Sequence, residues 1–236
     1  MAEFFETAET QEYFAIPALK VTVFPELSVS IEIDSDIDVD ELENLHATGE
    51  PAVLLTRLHR QSSNLRSTLK RDFDYHNVAT TVLINQIVRL PDGSVRLLLV
   101  GLERVSLIEH SGTRKGYVRV MHKRIYSTGD MAETTAAICE AARLVDEYIK
   151  FMPKENKHLK EELDEINDIG FYADYIAASL FNELDDQLLI LDEFDPNERI
   201  IALLTLLHNK LDILALQQKI RREVRSVWIK TSENII

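Results

Sequence analysis

Apolar and polar positions follow two different periods along this chain. Up to about residue 125 the period is two. Val29, Ile31 and Ile33 alternate with Ser30 and Glu32, as in a strand with one buried face. Residues 52–55 form a short apolar run, and residues 78–90 are rich in β-branched side chains. Pro91-Asp92-Gly93-Ser94 then predicts a turn, because proline presets one dihedral and glycine accepts a positive one. Residues 94–101 return as a second strand, which makes a hairpin. Two more strands are predicted over 105–108 and 117–125. One short helix interrupts them near 39–47, with Asp38 as its cap and Glu41 three residues on. Short strands without regular intervening helices make a small, mostly antiparallel sheet or barrel.

The period changes near Ser127-Thr128-Gly129-Asp130. Ile138, Ala141, Leu144, Val145, Tyr148 and Ile149 fall on one helical face, and Pro153 ends that run. Further helices are predicted near 157–166, 171–181 and 186–192. Asp195-Pro196-Asn197-Glu198 marks the start of another: aspartate caps, proline suits the first helical position and glutamate reaches back. No glycine or proline follows through residue 230, which allows a helix roughly 50 Å long. Ile200, Leu204, Leu207, Leu211 and Leu214 form its first stripe, expected to pack on the bundle. A second stripe lies on another face and includes Leu216, Ile220, Val224 and Val227, joined by Trp228. Lys219, Arg221, Arg222, Arg225 and Lys230 flank it, so the last third is expected to project. A projecting apolar stripe needs a partner, either a second copy or a following domain, because helices are stabilised mainly by packing. The chain therefore divides at 1–126 and 127–236, and the fold class is α+β.

Composition narrows the function. The 236 residues are 45% hydrophobic and 28% charged, as in an ordinary globular chain, and the net charge is −14. That charge repels phosphate and argues against nucleic acid as a partner. The lone cysteine, Cys139, cannot form an intramolecular disulfide and is expected as a small buried side chain in a reducing compartment. The acidic N-terminus is not a signal peptide, and no apolar run approaches the ~20 residues of a membrane span, so a soluble cytoplasmic protein is expected.

Motifs for phosphate cradles, nucleotide folds, nucleophile elbows and zinc are absent, so no catalytic site, cofactor or metal is expected. The acidic stretch 34–41 resembles the start of a calcium loop. Counted from Asp34, however, Val39 holds the glycine position and Leu45 the closing carboxylate position. It reads as a solvated loop entering a helix. Residues 57–71 are basic within an acidic chain and could dock an acidic partner or a nucleic-acid phosphate, but they lack interleaved aromatics for base stacking and read as a solvated loop.

Several segments, in order, resemble the N-terminal region of the ATP-dependent protease Lon. Residues 17–25, ending in Phe24-Pro25, are similar to that family's opening strand. Val78-Ala79-Thr80, Gln86-Ile87 and Leu90-Pro91-Asp92-Gly93-Ser94-Val95 resemble its central hairpin. Gly101-Leu102-Glu103-Arg104 resembles its Gly-Leu-x-Arg, and Asn197-Glu198-Arg199 opens a helix similar to its exit helix. The resemblance implies a PUA-like β-domain before a helical bundle, a role in capturing unfolded or damaged proteins, and help in holding a ring. Capture needs exposed apolar surface, for which Val23, Phe24, Leu27 and Leu90 at strand ends and turns are the candidates. Departures are Glu26 for the family's glycine after Phe-Pro, His76-Asn77 for its Gly-Thr, and a basic rather than acidic 57–71 loop. The ATPase and protease regions are missing, so the chain reads as part of a longer protein. The alternative is a stand-alone adaptor or ligand-binding protein.

Overall fold

The computed structural model describes residues 5–33, 37–58, 74–91, 93–109, 112–126, 131–152 and 158–233. Its first half contains β1 (Phe5–Leu19), β2 (Ser28–Ile33), α1 (Val39–Thr48), β3 (Ala52–Leu58), β4 (Asp74–Tyr75), β5 (Val78–Arg89), β6 (Val95–Glu109) and β7 (Tyr117–Tyr126). The hydrogen-bonded order is β1-β7-β6-β5-β3-β4, and β1 also pairs with β3, so five strands close a ring. The β1–β3 pairing is parallel. The other strand pairings described are antiparallel.

Alternation along the strands feeds two apolar cores. Tyr13 on β1 and Val53 and Leu55 on β3 join one, with Ala79, Val105, Val118 and Val120. Phe14, Ile16 and Leu54 join the other, which α1 covers with Leu42 and Leu45. Helix α1 starts as its sequence predicts, with the Asp38 carboxylate accepting from the Glu41 amide at 3.2 Å.

The two strands expected between 94 and 108 are one strand, β6. Its first half pairs with β2, from Ile33↔Val95 to Ser28↔Val100. Its second half pairs with β7, and β5 runs beside both. The β5–β6 register shifts between Thr80 and Val82. Such a bulge resets the inward–outward alternation, which is why a strict period of two splits this strand. The opening strand also differs from expectation. It ends at Leu19, where Lys20 takes a positive φ of 56°. Residues 21–24 then cross without a ladder, and the Thr56 and Thr80 hydroxyls donate to the Val21 and Val23 carbonyls at 3.0 and 2.7 Å.

The second half is all helical: α2 (Met131–Ile149), α3 (Leu159–Asp164), α4 (Ile169–Leu180), α5 (Leu184–Leu191) and α6 (Pro196–Glu233). Ala141, Leu144 and Val145 of α2 meet Tyr172, Ile176 and Leu180 of α4 and Ile200, Leu203 and Leu207 of α6 in one core. The predicted α6 stripe is off by part of a turn. Leu203 is buried, whereas Leu204 and Leu211 are only partly so. Beyond Leu214 the described side chains of α6 are all exposed.

One expectation fails here. Cys139 is exposed, because the buried arc of α2 runs through Ala141, Leu144 and Val145 and leaves position 139 outside it. By length and composition, residues 196–225 would also suffice for a membrane span. That stretch nonetheless packs through Ile200, Leu203 and Leu207 into the bundle, and Lys210 pairs with Glu183 and Asp186 at 2.9 and 2.5 Å.

Candidate functional site

Of the four residues expected to present apolar surface, two are buried. Val23 is 3% exposed and Phe24 is 2% exposed. Val23 fills the core under α1. Phe24 leaves the barrel and sits in the core of the helical bundle. Neither offers surface to a ligand, because the unpaired segment 20–24 folds inward to bridge the two halves. Leu27 is half-buried against the bundle core, and Leu90 is half-buried in the hairpin turn, where its amide donates to the Ser94 carbonyl.

The motifs scattered along the sequence meet at one junction. Pro25 bridges to Gly101, the Glu26 amide donates to the Gly101 carbonyl at 2.9 Å, and the Gly101 amide donates to the Leu27 carbonyl at 2.8 Å. A Cβ on Gly101 would lie 2.1 Å from the Phe24 carbonyl oxygen, so only glycine fits there. Glu26 takes a φ of 64°, a conformation that favours glycine. Three residues after Gly101, the Arg104 guanidinium lies 5.8 Å from the Phe24 ring centre. It makes two hydrogen bonds to the Asp174 carboxylate on α4, one of them at 2.9 Å, and one to the Leu191 carbonyl at the end of α5. Arg199, in the first turn of α6, donates to the same carboxylate at 3.2 Å and to the Glu193 and Phe194 carbonyls.

Arg104, Asp174 and Arg199 are all buried. Removing their charges from water pushes the Asp174 carboxyl up and the Arg199 guanidinium down to about 10. The mutual hydrogen bonds offset that cost, and the result is a junction with one geometry. His76, one of the departures, adds a contact across it: its Nε2 lies 2.5 Å from the Asp192 carboxylate at the end of α5.

Two of the open clefts on the barrel surface differ in charge. One, of about 740 Å³, is acidic, with Glu9, Glu26 and Glu103 beside Tyr13 and His122. The Tyr13 hydroxyl donates to Gln11 at 2.9 Å and stands 3.0 Å from the His122 ring. The second, of about 700 Å³, has an apolar floor and a cationic rim of Arg57, Arg114 and Lys115. Arg57 belongs to the basic 57–71 run; residues 59–71 of that run lie outside the described residues, as do Asp34 and Asp36 of the acidic stretch. A pair of cations between Gly112 and Gly116 was the available sequence signal for this rim. Nothing in the sequence marks Asp174.

The apolar stripe at the far end of α6 is exposed as expected: Leu216 by 57%, Ile220 by 50% and Val224 by 54%. The side chains of Val227 and Trp228 lie outside the described residues.

The fold defines the class: an α+β chain in which a closed, mostly antiparallel β-barrel leads into an all-α bundle with a long final helix. The chain belongs to the family of the ATP-dependent protease La (LON) substrate-binding domain, whose family model matches residues 12–209. Curated relatives include the Lon proteases of Buchnera aphidicola, 25% identical over 94% of this chain and 28% of that protein. The Lon protease of Escherichia coli K12 is 25% identical over 96% of this chain and 28% of that protein. The chain thus spans about 28% of these relatives. Among solved structures, the N-terminal domain of Mycobacterium avium complex Lon protease superposes with a TM-score of 0.59 at 15% identity, covering 84% of this chain and 98% of that one. The Lon N-terminal domain protein of Xanthomonas campestris gives a TM-score of 0.50 at 16% identity, covering 83% and 98%. At these identities the likeness concerns the fold.

Proposed function

We propose that this chain is the non-catalytic recognition module of a cytoplasmic Lon-type ATP-dependent protease, binding unfolded or damaged polypeptides. The observation that carries the reading is the substrate-binding family match across both barrel and bundle. The chain acts as two units, 1–126 and 127–236, held in one orientation by the Arg104–Asp174–Arg199 network. Leu27 and Leu90, which keep partial exposure, remain candidate contacts for substrate. The exposed end of α6 joins the module to a second copy or to the ATPase region, with Leu216, Ile220 and Val224 as the seam. Binding to one module is weak, because ordering a flexible chain opposes it, and several copies together raise the apparent affinity.

The test is a titration of the chain with one protein in its native form and in a permanently unfolded form. Binding of the unfolded form alone is expected. Equal binding to both, or binding to neither at millimolar concentration, overturns the reading.

A further inference from the structure

The cationic cleft differs in chemistry from the rest of this acidic chain. Its floor carries Pro17 of β1, Ile37 before α1 and Tyr75 of β4, which keep partial exposure, together with the buried Phe14 of β1 and Leu55 of β3. Its rim carries Arg57 at the end of β3 and Arg114 and Lys115 in the turn before β7. Among the described residues one carboxylate, Asp38, also lines it, and the Tyr117 hydroxyl donates to Glu41 nearby at 2.5 Å. Among the described residues the other cleft has three glutamates and no lysine or arginine in its lining. The described linings of the two clefts therefore carry opposite charge.

The turn that presents Arg114 and Lys115 is held in place. The Gly112 amide donates to the Tyr117 carbonyl at 2.6 Å, and the Tyr117 amide donates to the Arg114 carbonyl at 3.2 Å. The Thr113 amide and hydroxyl both donate to the Glu12 carboxylate, the hydroxyl at 2.6 Å. Gly116 has a φ of 85° and lies against the Phe14 ring, so the turn rests on the cleft floor. The Arg114 guanidinium stands 5.6 Å from the Tyr117 ring centre, which fixes it over the rim. Cations fixed in advance lose little freedom when an anion arrives.

We propose that this cleft seats an extended polypeptide segment in which an aromatic or aliphatic side chain is flanked by carboxylates. The apolar side chain rests on Pro17, Ile37 and Tyr75, which keep partial exposure, and the flanking carboxylates meet Arg114 and Lys115. A volume of about 700 Å³ lies within the usual range for such clefts. The net charge of −14 opposes both anions, but it opposes a nucleic acid, with one charge per nucleotide, more than a segment carrying a few carboxylates. The proposal rests on the polypeptide-binding reading above and specifies the sequences this site prefers.

The experiment uses the full chain and three fluorescent probes followed by anisotropy. They are a 12-residue peptide rich in Phe and Glu, the same peptide with Lys for Glu, and a 12-nucleotide single-stranded oligothymidylate. The acidic peptide is expected to bind, to weaken with added salt, and to lose about tenfold in affinity in the Arg114→Glu, Lys115→Glu double variant. Arg114→Gln with Lys115→Gln should give a smaller loss in the same direction, and the Lys peptide should be unaffected by either pair. An acidic peptide that ignores both pairs of substitutions, or fails to bind, overturns the proposal. An oligothymidylate that binds more tightly than the acidic peptide overturns the assignment to polypeptide. If unfolded proteins bind while the acidic peptide shows no dependence on these residues, the cleft assignment alone fails. If the acidic peptide binds as expected but unfolded proteins do not, the broader recognition reading fails and the cleft remains.

Discussion

Tyr172 shows how a single residue's burial sets a chain-wide property. It sits in the bundle core, and loss of solvent pushes its phenol up to about 12. Tyr175, one turn on, is raised to about 12 as well, because its hydroxyl donates to Glu162 at 2.6 Å. The folded phenols lie above their unfolded value, so their contribution to stability is complete below about pH 10 and is lost as pH rises through 12. Tyrosinate absorbance should therefore show a late phase near pH 12 that coincides with loss of helical circular dichroism. Tyr172→Phe should shrink that phase. A late phase unchanged in the variant would show that Tyr172 titrates like a solvated phenol. At this scale the sequence was a partial guide. Asp38 caps α1 as its spacing predicts. Phe24 stands out as a motif residue, but its destination does not, because burial in a distant bundle leaves no local pattern. Cys139 illustrates the opposite error: an apolar neighbourhood in sequence places no constraint on which arc of a helix a residue occupies.

Among the elements, α6 is both the most legible and the most divided. Its start, its length and the loss of its buried face after Leu214 all follow from the sequence. The two parts should respond differently to mutation. Leu207→Ala removes a fully buried side chain and is expected to cost about 2–5 kcal/mol in denaturant unfolding. Ending the chain after Ala215 removes described side chains that are exposed, and should change that unfolding free energy by less than about 1 kcal/mol in the monomer. A large loss on truncation would mean that the end of α6 packs on its own bundle. Strand β6 was less legible, since its bulge changes which face each residue occupies halfway along. The ring closure by β1 and β3 is invisible in any local window, because parallel pairing across α1 carries no sequence period of its own.

For the whole molecule, the decisive group is Asp174, which holds one arginine from the barrel and another from α6. Asp174→Ala leaves two buried guanidiniums facing each other, and breaking a buried charge network in this way costs about 3–5 kcal/mol. Guanidinium chloride unfolding of the variant measures the loss. A cost under about 1 kcal/mol would show that Phe24 and Val78, the barrel residues inside the bundle core, hold the two halves together without the ions.

The pairing of β1 has a consequence for the order of folding. Phe5 lies opposite Tyr126, and Ala15 lies opposite Val53. Strand β1, made before the rest of this sheet, can join β3 early, but its other edge stays open until β7 has been made. Contacts so far apart in the chain form slowly, and an open edge invites pairing with other chains. Barrel closure during synthesis therefore waits for the chain to reach residue 126. Until then a nascent protein of this kind is itself an incompletely folded polypeptide with an unsatisfied strand.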